Sequence, residues 1–433
     1  MTPRRRFLSA LTALGAASYV QAALPRLLPP PEKRRRVVIV GGGWGGLSVA
    51  RHLRKQAPEL DVVLVEQQAA FWSCPLSNKW LARLIDARLL LLRHDYAAAA
   101  NAYGYTFIRQ QVEAVDRDKG RILTAGGSLD YDWLVLAVGI RYDPSNWLGD
   151  DRRAIDHARQ HYPAGFIGED EFAALKRKLD GFAGGDLVMT IPPLPYRCPP
   201  APYERAAMIA WLLKSRRIKG RLIVLDPNRI APAFRRVFER NYPEQVDYRQ
   251  DAHIKSVDPF GKTIETEFDE IRFDDAILCM PQQAGTLIWQ AGLIGREKSG
   301  QPTGWADVDP LHLHARDDAR IFVIGDAVGP VSLLFGHYPK SGQMASSQGR
   351  IVAHEIAARA NGLEPPSMLP DSLCYVVSDF DPMMMLRIDA SYRVRGDGVI
   401  EQKVRQTSDP NPRGEDIAWA SSKFAEFLAY PPG

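Results

Sequence analysis

The chain has 433 residues, of which 45% are hydrophobic and 24% charged, enough for two or three domains with cores of their own. Its net charge of +4 is small and much of it sits at the N-terminus, so nothing points to a nucleic-acid partner. No stretch after the N-terminus is long or apolar enough to span a bilayer.

At the N-terminus Arg4-Arg5-Arg6-Phe7-Leu8 has the pattern of a twin-arginine export signal. The apolar stretch Leu8 to Val20 is shorter than the ~20 residues a membrane span needs. Val20-Gln21-Ala22 reads as a small-residue cleavage site, so residues 1–22 are expected to be a removed signal and the protein periplasmic. This route exports proteins already folded, which suits one that must load a nucleotide in the cytoplasm. Thiols outside the cytoplasm tend to pair, so at least one disulfide is expected among Cys74, Cys198, Cys279 and Cys374; spacing alone does not say which.

A proline-rich lead-in, Arg26 to Lys33, and a basic run, Lys33 to Arg36, precede the first regular element. Arg36-Val37-Val38-Ile39-Val40 is a β-branched run of the kind found in buried parallel strands, and it ends in glycines at Gly41, Gly43 and Gly46. Gly41 permits the tight turn, Gly43 lets a pyrophosphate approach the backbone, and Gly46 lets the next helix pack against the sheet. That helix, Leu47 to Lys55, points its amides at the phosphates, and a second strand, Asp61 to Val65, ends at Glu66, placed to grip a ribose hydroxyl. Strand, glycines, helix, strand and acid in this order make a dinucleotide site.

Ala70 to Asn78 reads as an irregular loop holding two aromatics and Cys74. Leu89 to Ala102 is helical in pattern and Tyr105 to Val115 is strand material. Ser128 to Gly139 is an acidic and aromatic lead into an apolar strand with a small-residue turn, which resembles the strand closing the first nucleotide unit of flavoprotein disulfide reductases. Tyr142 to Gly168, rich in Asp, His and Gly, reads as loop.

A second α/β unit begins at Asp186: strand Leu187 to Ile191, helix Glu204 to Lys214, strand Arg221 to Asp226. Where its glycine loop belongs, the chain runs Pro192-Pro193-Leu194-Pro195-Tyr196-Arg197-Cys198-Pro199-Pro200-Ala201-Pro202. Prolines lack amide donors and their rings block close approach, so this half is not expected to bind NAD(P)H in the usual way. The chain returns to the first unit at Arg320 to Ala327, where a strand ends in Gly325-Asp326 and aims a carboxylate at a hydroxyl chain. Pro339-Lys340-Ser341-Gly342 and a helix from Gln343 to Asn361 follow. Beyond Leu363, Leu373 to Val377 and Tyr392 to Val394 look like strand, and Ile417 to Leu428 like helix. No metal-ligand pattern is read.

One intact fingerprint in two similar halves implies a flavin dinucleotide, with Gly41, Gly43 and Gly46 on the pyrophosphate, Glu66 on the ribose and Asp326, on its Gly325 turn, at the ribityl chain. The fold class expected is α/β: two Rossmann-like three-layer domains plus a C-terminal α+β domain. The FAD-binding domain is discontinuous over 33–149 and 286–362, the second domain covers 150–285, and an interface domain covers 363–433.

Over nearly its whole mature length the chain resembles the flavoprotein subunit of flavocytochrome c sulfide dehydrogenase, related to sulfide:quinone oxidoreductases. The residues that carry the resemblance are Ser73-Cys74-Pro75-Leu76-Ser77-Asn78, Cys198-Pro199-Pro200-Ala201-Pro202-Tyr203-Glu204-Arg205-Ala206, Gly325-Asp326-Ala327, Pro339-Lys340-Ser341-Gly342 and Leu373-Cys374-Tyr375. It implies that Cys74 bonds covalently to the flavin 8α-methyl and that Cys198 and Cys374 form a redox-active pair beside the ring. Hydrosulfide would attack that disulfide, leave a persulfide, and free a thiolate to pass two electrons to FAD. The implied acceptor is haem in a separate c-type cytochrome subunit, since this chain has no Cys-x-x-Cys-His motif. The polar C-terminal region, with Arg395, Asp397, Glu401, Lys403 and Arg405, favours a soluble acceptor over a quinone in lipid. Cys279 has no implied role and reads as a core thiol. Glu204 reads either as a proton carrier or as a helix-start charge, and Lys340 as a cation at the flavin pyrimidine edge.

Overall fold

The computed structural model describes residues 25–31, 34–85 and 93–429. The export signal and its cleavage site lie outside the described residues, as do residues 89–92 of the expected Leu89–Ala102 helix.

The Arg36–Val40 strand is buried along its whole length, as a central parallel strand covered on both faces should be. It pairs in parallel with Asp61–Glu66 on one side and Trp133–Leu136 on the other. Thr106–Arg109 and Asp318–Val323 extend the parallel sheet, and His314–Ala315 closes one edge antiparallel. The sheet thus takes its strands from two distant stretches of chain. Helices Trp44–Gln56 and Gly342–Ala360 pack closely together: a Cβ at Gly349 would lie 2.6 Å from Gly45 O, and Ser48 Oγ donates to Ser346 O at 2.8 Å. The antiparallel sheet of Val112–Asp116, Arg121–Thr124 and Gly127–Asp130 adds Ile122 and Leu129 to the same core.

The second sheet is parallel throughout, in the order Val246–Gln250, Gly220–Asp226, Gly185–Thr190, Asp275–Ile277. Helix Ala201–Ser215 lies in its core with Met208, Ile209 and Leu212 buried. Strands Ser372–Phe380, Met383–Val394 and Ile400–Asp409 form an antiparallel sheet. Val376, Val377 and Phe380 of that sheet pack into the second core, while Ala420, Phe424 and Phe427 of the last helix, Glu415–Phe427, pack into the first. The C-terminal region therefore straddles both halves. Among the described residues no helix is long and apolar enough to cross a membrane.

Four stretches differ from the sequence reading. Ala70 to Asn78 is not all loop but holds strand Ala70–Trp72 and the start of helix Ser77–Leu81. Tyr142 to Gly168 is not all loop but holds helices Ser145–Leu148 and Arg152–His161. The second is set by its cap, since Asp151 accepts from the amides of Arg153 and Ala154 at 2.9 and 3.2 Å. It buries only Ala154 and Ala158, too small a stripe to show as apolar periodicity. The helix expected over Leu89 to Ala102 is shorter, Tyr96–Tyr103, capped by Asp95 at the end of a short strand. Ile400–Asp409 gives no strand signal in the sequence because its side chains are mostly polar and exposed; pairing along Met383–Val394 supplies its order.

Candidate active site

One cavity of about 550 Å³ runs between the two halves. Gly41, Gly43, Glu66, Cys74, Arg197, Cys198, Glu204, Asp326, Cys374 and Trp419 all reach its wall. Residues far apart in sequence meet here because both parallel sheets end their strands toward it.

At the dinucleotide end Gly41 has φ +102°, and a Cβ there would lie 2.5 Å from Ala137 O. A Cβ on Gly46 would fall 1.9 Å from Gly41 O, so only glycine lets the helix start so near the strand. Gly43 is different, because a Cβ there would meet nothing within 4 Å: its bare backbone faces open space. Glu66 accepts from the Gly42 amide at 2.8 Å and the Gln68 amide at 2.9 Å, which fixes its carboxylate at the cavity wall.

At the other end Gly325 has φ +74° and its amide donates to Gln348 Oε1 at 2.7 Å. Asp326 Oδ2 is bonded to Arg197 Nε at 2.6 Å, while Asp326 Oδ1 is buried without a protein partner. Gln343 Oε1 is likewise buried and unpartnered. Arg197 also donates to Phe166 O at 2.7 Å, so it ties the proline loop to both halves.

Three cysteines line the cavity and the fourth does not. Cys198 has φ +52°, a left-handed conformation rare for a non-glycine residue, and its amide donates to Lys340 O at 2.6 Å. All four cysteines are thiols, so the expected disulfide is not formed in this structure. Cys198 and Cys374 nevertheless share the cavity wall, and the Cys374 thiol acts on that of Cys198. That influence, burial and the Glu204 charge hold the Cys198 thiol well above its ordinary pKa. Cys74 sits between strand Ala70–Trp72 and helix Ser77–Leu81, and its thiol is pushed up to about 12 by burial and by Cys198, against the pull of Arg197. Cys279 is fully buried in the second core, where burial pushes its thiol up to about 12.

Glu204 lies in the first turn of helix Ala201–Ser215. Its Oε2 accepts from Asn78 Nδ2 at 2.6 Å and its Oε1 from the Val377 amide at 2.7 Å, on the strand that carries Cys374. Burial raises its carboxyl to about 7, so it exchanges a proton near neutrality. Lys340 is placed differently from expectation. It does not reach the cavity; its Nζ donates to the carbonyls of Asp326 and Val328 at 2.7 and 2.9 Å and lies 3.6 Å from the Trp305 ring centroid. Its burial lowers its ammonium to about 7.

Sequence reasoning missed Arg197, Asn78 and Arg205. Arg205 is buried and donates to Asn78 Oδ1 at 3.1 Å and to Gly165 O at 3.0 Å, fixing the amide that holds Glu204. A charged residue beside Cys198 and another beside Glu204 were the available signals.

In the second half Asp226 occupies the strand-end position where a ribose would be gripped. It is fully buried and accepts from the hydroxyls of Tyr203 and Tyr248 at 2.7 Å each and from the Asn228 amide at 2.8 Å. The carboxylate is already taken up by protein donors.

Residues 173–281 match the family model for the central region of the flavoprotein chain of sulfide dehydrogenase [flavocytochrome c], and residues 35–169 match that for pyridine nucleotide-disulphide oxidoreductases. A 35-residue stretch, 8% of this chain and 73% of the matched sequence, is 57% identical to the flavoprotein chain of sulfide dehydrogenase [flavocytochrome c] from Chlorobaculum thiosulfatiphilum. The chain belongs to the pyridine nucleotide-disulphide oxidoreductases related to sulfide:quinone oxidoreductase and flavocytochrome c sulfide dehydrogenase. Within that family it is 23% identical over 309 residues to the mitochondrial sulfide:quinone oxidoreductase of Mus musculus, a match covering 65% of this chain and 63% of the mouse protein's length. The fold is that of the sulfide:quinone oxidoreductase from Aquifex aeolicus, with TM-score 0.70 at 19% identity over 92% of this chain and 93% of the other.

The site fits the flavin dinucleotide of this family. The open backbone at Gly43, the fixed Glu66 carboxylate and the unpartnered Asp326 Oδ1 and Gln343 Oε1 offer the contacts that pyrophosphate, ribose and ribityl groups require.

Proposed function

We propose that this flavoprotein is a periplasmic sulfide dehydrogenase that oxidises hydrosulfide to sulfane sulfur through Cys198 and Cys374 and passes the electrons to a c-type cytochrome. The observation that carries this reading is that Cys198 and Cys374 line the same cavity as the glycine fingerprint, with the Cys374 thiol acting on that of Cys198.

With the pair oxidised, hydrosulfide attacks one sulfur. An S–S bond forms as the cysteine–cysteine bond breaks, leaving a persulfide on one cysteine and a thiolate on the other. A second hydrosulfide attacks the outer sulfur of the persulfide and departs as disulfane, restoring two cysteine thiols or thiolates. Closing the pair again releases two electrons, so two hydrosulfides become one hydrodisulfide, one proton and two electrons. Bound FAD would take that electron pair and hand the electrons on singly. Glu204, bonded to the Val377 amide on the Cys374 strand, receives the proton. Arg197 holds Asp326 toward the cofactor.

Cys74 reaches the same cavity and would carry a thioether to the flavin, keeping it bound where it cannot be resupplied. The cytochrome acceptor is supported by the match of residues 173–281 to the flavocytochrome c flavoprotein model. The mouse relative supports the alternative of a quinone acceptor at a membrane surface. The two readings separate on the oxidant that sustains turnover.

The test is an anaerobic sulfide titration followed at the flavin absorbance, then acid precipitation, then turnover with cytochrome c or with quinone in lipid. Bleaching by sulfide is expected, with yellow colour retained in the pellet and turnover on cytochrome c. Absence of bleaching removes the sulfide reading, flavin in the supernatant removes the tether, and turnover on quinone alone removes the cytochrome.

A further inference from the structure

Lys79 and Asp416 are 6% and 4% exposed, and Lys79 Nζ lies 2.5 Å from Asp416 Oδ2. Both reach the wall of the cavity that holds Cys198 and Cys374. Asp416 Oδ1 is buried there without a protein partner. Lys79 follows Asn78, the residue whose amide holds Glu204, and Asp416 lies in the first turn of the last helix. A charged pair has thus been taken out of water on the wall of the cavity that the cysteines line, at a desolvation cost that apolar residues of similar size would avoid.

We propose that the Lys79–Asp416 ion pair is a positioning pair that governs proton uptake by Glu204 during sulfide oxidation. The inference rests on the reading of Glu204 as the proton acceptor. The groups around Glu204 come from five elements. Asn78 and Lys79 lie on the Ser77–Leu81 helix, Arg205 on its own helix, and the Val377 amide and Cys374 on the Ser372–Phe380 strand. Cys198 lies on the proline loop and Asp416 on the last helix. Of these, Lys79 lowers the affinity of Glu204 for its proton and Asp416 raises it, and the two oppose each other across one short contact. The two partners act on Glu204 in opposite directions, Lys79 the more strongly, while burial, the largest influence, raises its carboxyl to about 7. Removing one partner unmasks the other. Because Asp416 belongs to the last helix, the setting also depends on that helix being docked.

The experiment is stopped-flow bleaching of the flavin by sodium sulfide as a function of pH in the wild-type holoprotein and in Lys79→Met, Asp416→Asn and the double variant. The titration of hydrosulfide itself is common to all four proteins, so differences between them report on the protein. Lys79→Met is expected to move the Glu204 limb of the profile up by about one pH unit and Asp416→Asn to move it down by about as much, with the double variant close to wild type. A single variant that does not fold is replaced by the charge-swapped Lys79→Asp/Asp416→Lys protein, which keeps a buried pair. It is expected to shift the limb upward, since the charge nearer in effect is then negative. Unshifted limbs, or shifts of the same sign in both single variants, overturn the proposal. A wild type that is not bleached at any pH, or whose profile is unchanged by Glu204→Gln, marks failure of the underlying reading instead.

Discussion

Arg197 Nε bonds Asp326 Oδ2 at 2.6 Å, joining the loop that carries Cys198 to the turn that closes the first sheet. The two oxygens of Asp326 divide their work: one is fixed on Arg197 and the other is buried and free toward the cavity. Losing the guanidinium leaves a nearly buried carboxylate with no cation in contact. Arg197→Met is expected to cost about 2 kcal/mol or more of stability and to lower the flavin content of the purified protein. Denaturant unfolding and the ratio of flavin to protein absorbance check this. Unchanged stability with full flavin content would show that Arg197 does not hold Asp326.

The cysteines separate cleanly by position. Cys198→Ser and Cys374→Ser each remove one sulfur of the pair, so sulfide should no longer bleach the flavin, while dithionite still does. Cys279→Ala acts on a side chain that is fully buried in the second core and is not itself part of the cavity wall. It should leave bleaching by sulfide intact and cost on the order of 1–2 kcal/mol of stability from the small cavity it leaves. Sulfide bleaching that survives Cys374→Ser would sink the pair as the entry point for electrons.

Much of this site was legible because each half announces itself locally. Arg36 to Glu66 carries strand, glycines, helix and acid within one continuous stretch, and the structure places them around Gly43 and Glu66 at the cavity wall. Helices whose buried face is only two alanines, such as Arg152–His161, have no apolar signal to read, and their caps decide them. Lys340 and Arg197 were misjudged or missed for another reason. Whether a cation faces a cofactor or a backbone carbonyl is settled by tertiary packing, which puts Lys340 Nζ on Asp326 O and Val328 O and Arg197 on Asp326. The Lys79–Asp416 pair joins two helices from opposite ends of the chain, and nothing in either segment points to the other.

Glu204 makes stability depend on pH in a defined direction. Its carboxyl is raised by burial from 4.5 to about 7 in the folded protein. Between those values the native state holds a proton that the unfolded chain has released, so this group's contribution falls as pH rises from 4.5 through 7 and is flat above. Glu204→Gln cannot ionise and lacks that slope. Relative to wild type it should therefore gain on the order of 2–3 kcal/mol between pH 4.5 and pH 8, read from denaturant midpoints at the two pH values. Parallel wild-type and variant stability curves would mean that Glu204 keeps an ordinary carboxylate pKa.

Lys340 allows two opposite expectations to be tested with one variant. A cation at the flavin pyrimidine edge would stabilise the reduced, anionic ring, and its loss would lower the flavin potential. The structure instead seats Lys340 Nζ on two backbone carbonyls and against the Trp305 ring, away from the cavity wall. Lys340→Met keeps most of the stem volume but leaves the carbonyls of Asp326 and Val328 buried without that donor. The expected result is a loss of about 2 kcal/mol of stability, with the flavin midpoint potential, measured by reductive titration against a dye, unchanged. A lowered potential at unchanged stability would restore the pyrimidine-edge assignment, because a group seated on backbone carbonyls away from the cavity wall should leave the ring's potential where it is.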